Sequence, residues 1–381
     1  MDRIAGQTVT AASVSARWSG GQGGALAPNG GVCVEVIGRA APSLEFLKVS
    51  RQYAQRTVYP SMAKTLLDHD THPSQEIAHL LATCSGYAYG DELTVAMLMA
   101  RMGLPNNHCL RITESIDAML IRATAQLVQS SDGRVVILCY RGTQLLDIIN
   151  WLASIDVRAG PMPISIPGSY KPFDVHGGFY RNVRSIRFEV IHALNRALAG
   201  KNIINAEEPM PNPMQALYLT GHSLGGAMAA LMTIMLLADP GYAKIAETLR
   251  ATYTFAQPMM GNKDFAAACN ANDFLRNNVF RYIYNRDIVP RVPPAFTGAF
   301  AHFGQEYEYV GRGLDGHWKH NGTPMRQLRH VLPFLLSPLP ILTRQITALK
   351  DLRFAVSLQD HFPRHYVAAL APSRTCSEFG E

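Results

Sequence analysis

Residues 215–238, QALYLTGHSLGGAMAALMTIMLLA, decide the fold. The segment opens on a short apolar run and ends on fifteen residues of helix-forming, mostly apolar character, so it predicts a strand feeding directly into a buried helix. Between the two lies Gly221-His222-Ser223-Leu224-Gly225, which fits G-x-S-x-G in the setting that gives this motif meaning. A turn this tight strains the serine backbone and brings strand and helix close, so Gly221 and Gly225 stand where a Cβ would collide. Ser223 then sits at a helix N-terminus, where backbone amides and the positive end of the dipole stabilise a developing oxyanion. The ring of His222 is expected to point away from the serine hydroxyl and to serve packing or hydrogen bonding.

Working outward, the same pattern continues. Downstream come a strand ATYTFAQP, a helix KDFAAACNAN and a strand NVFRYIYN, giving a βαβαβ order that implies parallel strands with right-handed crossovers. Upstream, DAMLIRATAQLVQ, the turn SSDG and RVVILCYRG read as a hairpin entering the sheet. Before it, SQEIAHLLATCSGYAYG and DELTVAMLMARMG form two amphipathic stretches ending at glycines, suited to cover one sheet face. The expected class is α/β: an α/β-hydrolase fold with a mostly parallel central sheet flanked by helices. Residues 1–42 form a Gly/Ser/Ala-rich N-terminal extension, and 43–381 form the hydrolase domain. The apolar segment 331–342, VLPFLLSPLPIL, is broken by three prolines and reads as core packing, or as a wall against an acyl chain.

With 48% apolar and only 17% charged residues, the chain has material for a large core and is not globally disordered. The net charge of +6 is scattered, with no Lys/Arg run of the kind that binds nucleic acid, so no nucleic-acid partner is expected. It mildly favours anionic lipid surfaces. The six cysteines show no CxxC or zinc spacing and read as free thiols, and no metal or organic cofactor is expected. The N-terminus lacks the apolar core of a secretory signal, and no stretch reaches the ~20 apolar residues of a membrane span. A cytoplasmic location is the expectation, with non-classical export as the other route.

A serine hydroxyl is a weak nucleophile until an imidazole takes its proton, and that imidazole needs an acid to fix its tautomer. In this fold the order along the chain is Ser, Asp/Glu, His. Asp287 meets the requirement for the acid, because it lies just beyond the end of the strand NVFRYIYN, with Pro290 stopping further regular structure. For the base, His302, His317, His320, His330, His361 and His365 are all candidates, and composition does not choose among them. His361 is favoured by its place on the turn into a terminal helix, with His365 next.

These residues resemble the class 3 lipases, the fungal-type triacylglycerol lipases and their bacterial and plant relatives. The resemblance covers roughly residues 78–370 and rests on ordered blocks: VVILCYRGT with a following NWL, VHGGF, GHSLGG, YTFAQPMMGN, YNRDIVPRVPP, HFG and DHFPRHYVAAL. It implies a carboxylic ester hydrolase with Ser223, Asp287 and His361 as catalytic triad, and an oxyanion hole from the Leu224 amide and Thr143. It also implies a lipid or other ester as substrate, transient contact with a lipid interface, and no cofactor. Phospholipase A1 activity is the nearest alternative, and a non-catalytic binding module on the same fold is the rival from another class. Residues 144–154, QLLDIINWLAS, occupy the place of the amphipathic lid or form a fixed helix on the core. His176 and His302 match family positions of structural character. Asn150, Ala256 and Met259 depart from the usual Asp, Gly and Arg, and alter polarity beside the site rather than the triad.

Overall fold

The computed structural model describes residues 33–35, 58–60, 62–68, 72–119, 121–142, 162–295, 298–311, 316–321, 326–327 and 356–372. Its centre is a sheet that begins with the edge strand β1 (Cys33–Glu35) and the hairpin β2 (His108–Ile116) and β3 (Ile121–Gln129). It continues through β4 (Val135–Tyr140), β7 (Ala216–His222), β8 (Leu249–Phe255) and β10 (Val279–Tyr284) to β12 (Gln305–Val310) and β13 (His317–Asn321). The run β4-β7-β8-β10-β12 is parallel, and the strands flanking it pair antiparallel. The mostly parallel sheet expected from the βαβαβ order is thus present, and the expected hairpin is β3–β4. The strand read from residue 117 begins only at Ile121, after a 3₁₀ turn at Asp117–Met119.

Every residue of β4 and β7 is buried, as it must be for central strands covered on both faces. One face carries α1 (Met62–Asp68), α2 (Gln75–Tyr87), α3 (Glu92–Arg101) and the terminal helix α8 (Pro363–Leu370), packed on Val135, Ile137, Tyr218, Tyr253 and Phe280. The other carries α4 (Gly177–Leu198), α5 (Leu224–Ala238), α6 (Lys263–Ala271) and α7 (Asp273–Asn277), packed on Val136, Leu138, Leu217 and Leu219. α5 is buried on nearly all sides, which explains why its sequence is apolar throughout rather than amphipathic. Side chains cap the exposed helix starts: Ser74, Asp91, Asn262 and Asn272 each accept a backbone N–H of the first turn. A small antiparallel sheet of β5 (Met162–Ile164), β6 (Phe173–Val175), β9 (Gly261–Asn262) and β11 (Phe300–Ala301) lies beside the main one.

Of the 1–42 extension only β1 is described, and segments 144–154 and 331–342 lie outside the described residues. Cys84, Cys109, Cys139 and Cys269 are free thiols. Among the described residues no single helix is long and apolar enough to cross a membrane.

Candidate active site

β7 ends in the elbow. Ser223 has φ +59° and ψ −127°, a backbone region that costs a non-glycine residue on the order of 1–3 kcal/mol. Its surroundings over-determine it: the Ser223 N–H donates to the Phe255 carbonyl at 2.8 Å, and its own carbonyl accepts the Gly226 N–H at 3.0 Å. A Cβ on Gly221 would run into Gly225, and one on Gly225 into the Tyr140 carbonyl, so both glycines are there to let β4, β7 and α5 meet. Leu224 is the first residue of α5, and its amide has no carbonyl one turn earlier to bind. Ala256, at the end of β8, sits at φ +55°, which explains why glycine is usual at this position in the family it resembles.

Asp287 follows β10 on a turn that pairs with Ser357, and His361 ends the 3₁₀ turn Gln359–His361 just before α8. The three side chains are buried and joined. His361 Nδ1 donates to Asp287, 2.9 Å from Oδ2 and 3.1 Å from Oδ1, and His361 Nε2 stands 2.9 Å from Ser223 Oγ. The carboxylate can only accept, so Nδ1 carries the proton and the Nε2 lone pair faces the serine hydroxyl. Of the histidine candidates, His361 alone is joined to Ser223 among the described residues. His365 stacks on Tyr284, His317 and His320 lie exposed on β13, and His330 lies outside the described residues.

Tyr366, on α8, is the residue the sequence reading missed. Its oxygen accepts the Tyr284 N–H at 3.0 Å, which directs its own O–H onto Asp287 Oδ2 at 2.6 Å. Asp287 Oδ1 also accepts the Val289 N–H at 2.9 Å, so the carboxylate is held by the imidazole, a phenol and an amide. Burial, with Asp287 beside it, pushes the Tyr366 phenol well up, and it remains a donor at any working pH.

His222 turns away from the serine. Its Nε2 lies 2.7 Å from the His361 carbonyl, which only accepts, so Nε2 is the donor; Nδ1 faces the Tyr89 hydroxyl at 3.1 Å. Burial, with the His361 imidazole next to it, holds His222 well below its ordinary pKa and keeps it neutral. Gly142 is wedged against Tyr89 and the His222 carbonyl, so the turn leading to Thr143 is seated on the elbow. Thr143 itself lies outside the described residues. His302 Nε2 donates to the Pro290 carbonyl at 2.8 Å and so ties down the turn that follows Asp287, while His176 stacks on Phe179 with ring centroids 4.3 Å apart. Among the described residues no group of three or more His, Cys, Asp or Glu side chains is placed to hold a metal ion.

The model of the family "Lipase (class 3)" matches residues 137–297. Among curated proteins the chain is similar to a lipase of Rhizomucor miehei, 26% identical over 209 residues, covering 52% of this chain and 50% of that protein. It is also similar to phospholipase A1-II 1 of Oryza sativa subsp. indica, 28% identical over 172 residues, covering 42% of this chain and 40% of that protein. The chain therefore spans about half the length, or less, of these relatives. Among solved structures, the native Rhizomucor miehei lipase propeptide complex superposes with a TM-score of 0.51 at 20% identity, over 79% of this chain and 84% of that one. That likeness shows the shared α/β-hydrolase fold. The matched segment 137–297 carries Ser223 and Asp287, and the match bears out the resemblance to the class 3 lipases carried by the motifs.

Proposed function

We propose that this chain is a serine carboxylic ester hydrolase of lipase type, acting on acylglycerols or other fatty-acyl esters. The observation that carries the reading is the buried, hydrogen-bonded chain Ser223–His361–Asp287 on a strained elbow. As Ser223 Oγ attacks the ester carbonyl, its proton passes to His361 Nε2, and Asp287 stabilises the imidazolium across Nδ1. The Leu224 amide, at the head of α5, donates to the oxyanion of the tetrahedral intermediate, and a contribution from Thr143 completes the hole in this reading. His361 then protonates the leaving alcohol, and a water activated by the same imidazole releases the acyl-enzyme. A phospholipid ester is the second substrate class, supported by similarity to the rice phospholipase A1.

The test is hydrolysis of a p-nitrophenyl ester series from two to sixteen carbons by the wild type, Ser223→Ala and His361→Ala. Losses on the order of 10⁶-fold in kcat are expected for both variants. Wild-type activity that survives His361→Ala would reassign the base. A wild type inactive on every ester and unlabelled by a fluorophosphonate would leave a binding module instead.

A further inference from the structure

A second concave site lies at the same end of the sheet as Ser223. The Arg141 N–H, one residue past β4, donates to Thr124 on β3, so the start of β3 and the end of β2 extend beyond β4 on the side of the nucleophile. There a cleft of about 480 Å³ opens between the β2–β3 hairpin and the first turns of α4, lined by Glu114, Ile116, Ile121, Met162, Arg181 and Arg184. The size is that of small-ligand sites, which run roughly 300–1,000 Å³.

Its charges are unmatched. Glu114 occupies an inward position of β2, in register with buried Leu110 and Ile112, and is only 6% exposed. Its Oε2 is buried with no hydrogen-bond partner among the described residues. A carboxyl in that state is expensive, and an apolar side chain would serve a plain core better. Burial, with Glu189 nearby, pushes its pKa up. Arg181 and Arg184 line the same cleft, and neither is ion-paired with Glu114. Arg184 is oriented by the Tyr180 hydroxyl at 3.1 Å and lies over its ring. The cleft therefore presents two guanidiniums and a separate carboxyl, the complement of a ligand that carries an anion and a cation a few bonds apart. At the hairpin tip Ile116 and Met119 are exposed, an apolar edge beside the cleft that suits a ligand anchored in lipid.

We propose that this cleft binds the head group of a zwitterionic phospholipid, its phosphate on Arg181 and Arg184 and its ammonium on Glu114. The choice of a lipid as the bearer of that head group rests on the hydrolase reading above; the charge pattern does not. Phosphate alone would engage only the arginines, and ethanolamine alone only Glu114.

The experiment is equilibrium titration of the wild-type chain with glycerophosphoethanolamine, inorganic phosphate and ethanolamine. Glycerophosphoethanolamine is expected to bind at least tenfold more tightly than either fragment. Glu114→Gln should remove that advantage and leave phosphate binding unchanged, whereas Arg181→Gln with Arg184→Gln should weaken both anionic ligands. Glu114→Leu should likewise lose the ammonium preference while raising the melting temperature, which a carboxyl needed for structure would lower. Equal affinity for phosphate and glycerophosphoethanolamine, or a preference untouched by Glu114→Gln, overturns the proposal. Because glycerophosphoethanolamine has no acyl ester, its binding is read whether or not the chain hydrolyses esters, and failure of the hydrolase reading shows only in the ester series.

Discussion

Tyr366 places its hydroxyl 2.6 Å from the same Asp287 oxygen that takes the His361 imidazole at 2.9 Å. The phenol thus fixes the orientation of the carboxylate from α8, five residues after the base and on the same helix-and-turn unit. Tyr366→Phe keeps the ring and removes the bond. It is expected to lower kcat about tenfold with KM for a short p-nitrophenyl ester unchanged, and to destabilise the fold by about 1.5–3 kcal/mol. A kcat equal to wild type, with the stability loss present, would make Tyr366 purely structural.

The backbone of Ser223 should be a net liability to the fold. Ser223→Ala keeps the positive φ, whereas Ser223→Gly relieves it, so the glycine variant is expected to be more stable than the alanine variant by about 1 kcal/mol despite its greater unfolded-state entropy. Chemical denaturation of the two inactive variants checks this, and an alanine variant equal or superior in stability would mean the elbow is unstrained.

Acid should begin to weaken the fold at about pH 6.5, where unfolded histidines start to take up protons. His79, His222 and His302 are buried and held below the ordinary histidine pKa by that burial, His79 to about 4. Their folded values lie below the unfolded one, so their neutral forms cost nothing above about pH 6.5, and stability falls as the unfolded chain takes up protons below it. His79 alone accounts for about 3 kcal/mol lost between pH 6.5 and 4. Melting temperatures across that range should fall less steeply for His79→Gln than for the wild type, and parallel curves would contradict the assignment.

Arg281 and Glu306 face each other across β10 and β12 as a buried ion pair at 3.0 Å, each about 1% exposed. Phe303 and Asn321 supply further hydrogen bonds to the pair. Removing one charge strands the other, so Glu306→Ala should cost about 3–5 kcal/mol, while Arg281→Met with Glu306→Leu should recover most of it. Urea denaturation of the single and double variants gives the comparison; additive losses would exclude the pair as a coupled unit.

The strands and helix that build the elbow were legible because residues 216–222 and 224–238 are long apolar runs with a motif between them, and Asp287 because it sits past a clear strand end. β2 was hidden by Glu114, which breaks its inward alternation at the position where the cleft needs a charge. α4 buries Phe179, Val183, Ile186, Val190 and Leu194 at helical spacing, yet it opens on two glycines and is dense in arginine, so its first turn reads as loop. His361 could be favoured but not chosen by position, since the choice depends on the turn at 357–361 folding back onto Asp287. Tyr366 carried no signal of its own, because a tyrosine on an amphipathic helix ordinarily reads as core.

The return of the chain through Ser357 to α8 also sets a time order. The elbow and Asp287 are synthesised well before His361, which reaches them only once residues 356–372 have paired with the Asp287 turn and packed on α2 and β10. On the ribosome, a growing or prematurely ended chain would own a strained serine with no base to ionise it. The ester cleavage proposed above would therefore become possible only after residues 356–372 are made and docked, and a chain stopped short of them would leave nearby esters intact.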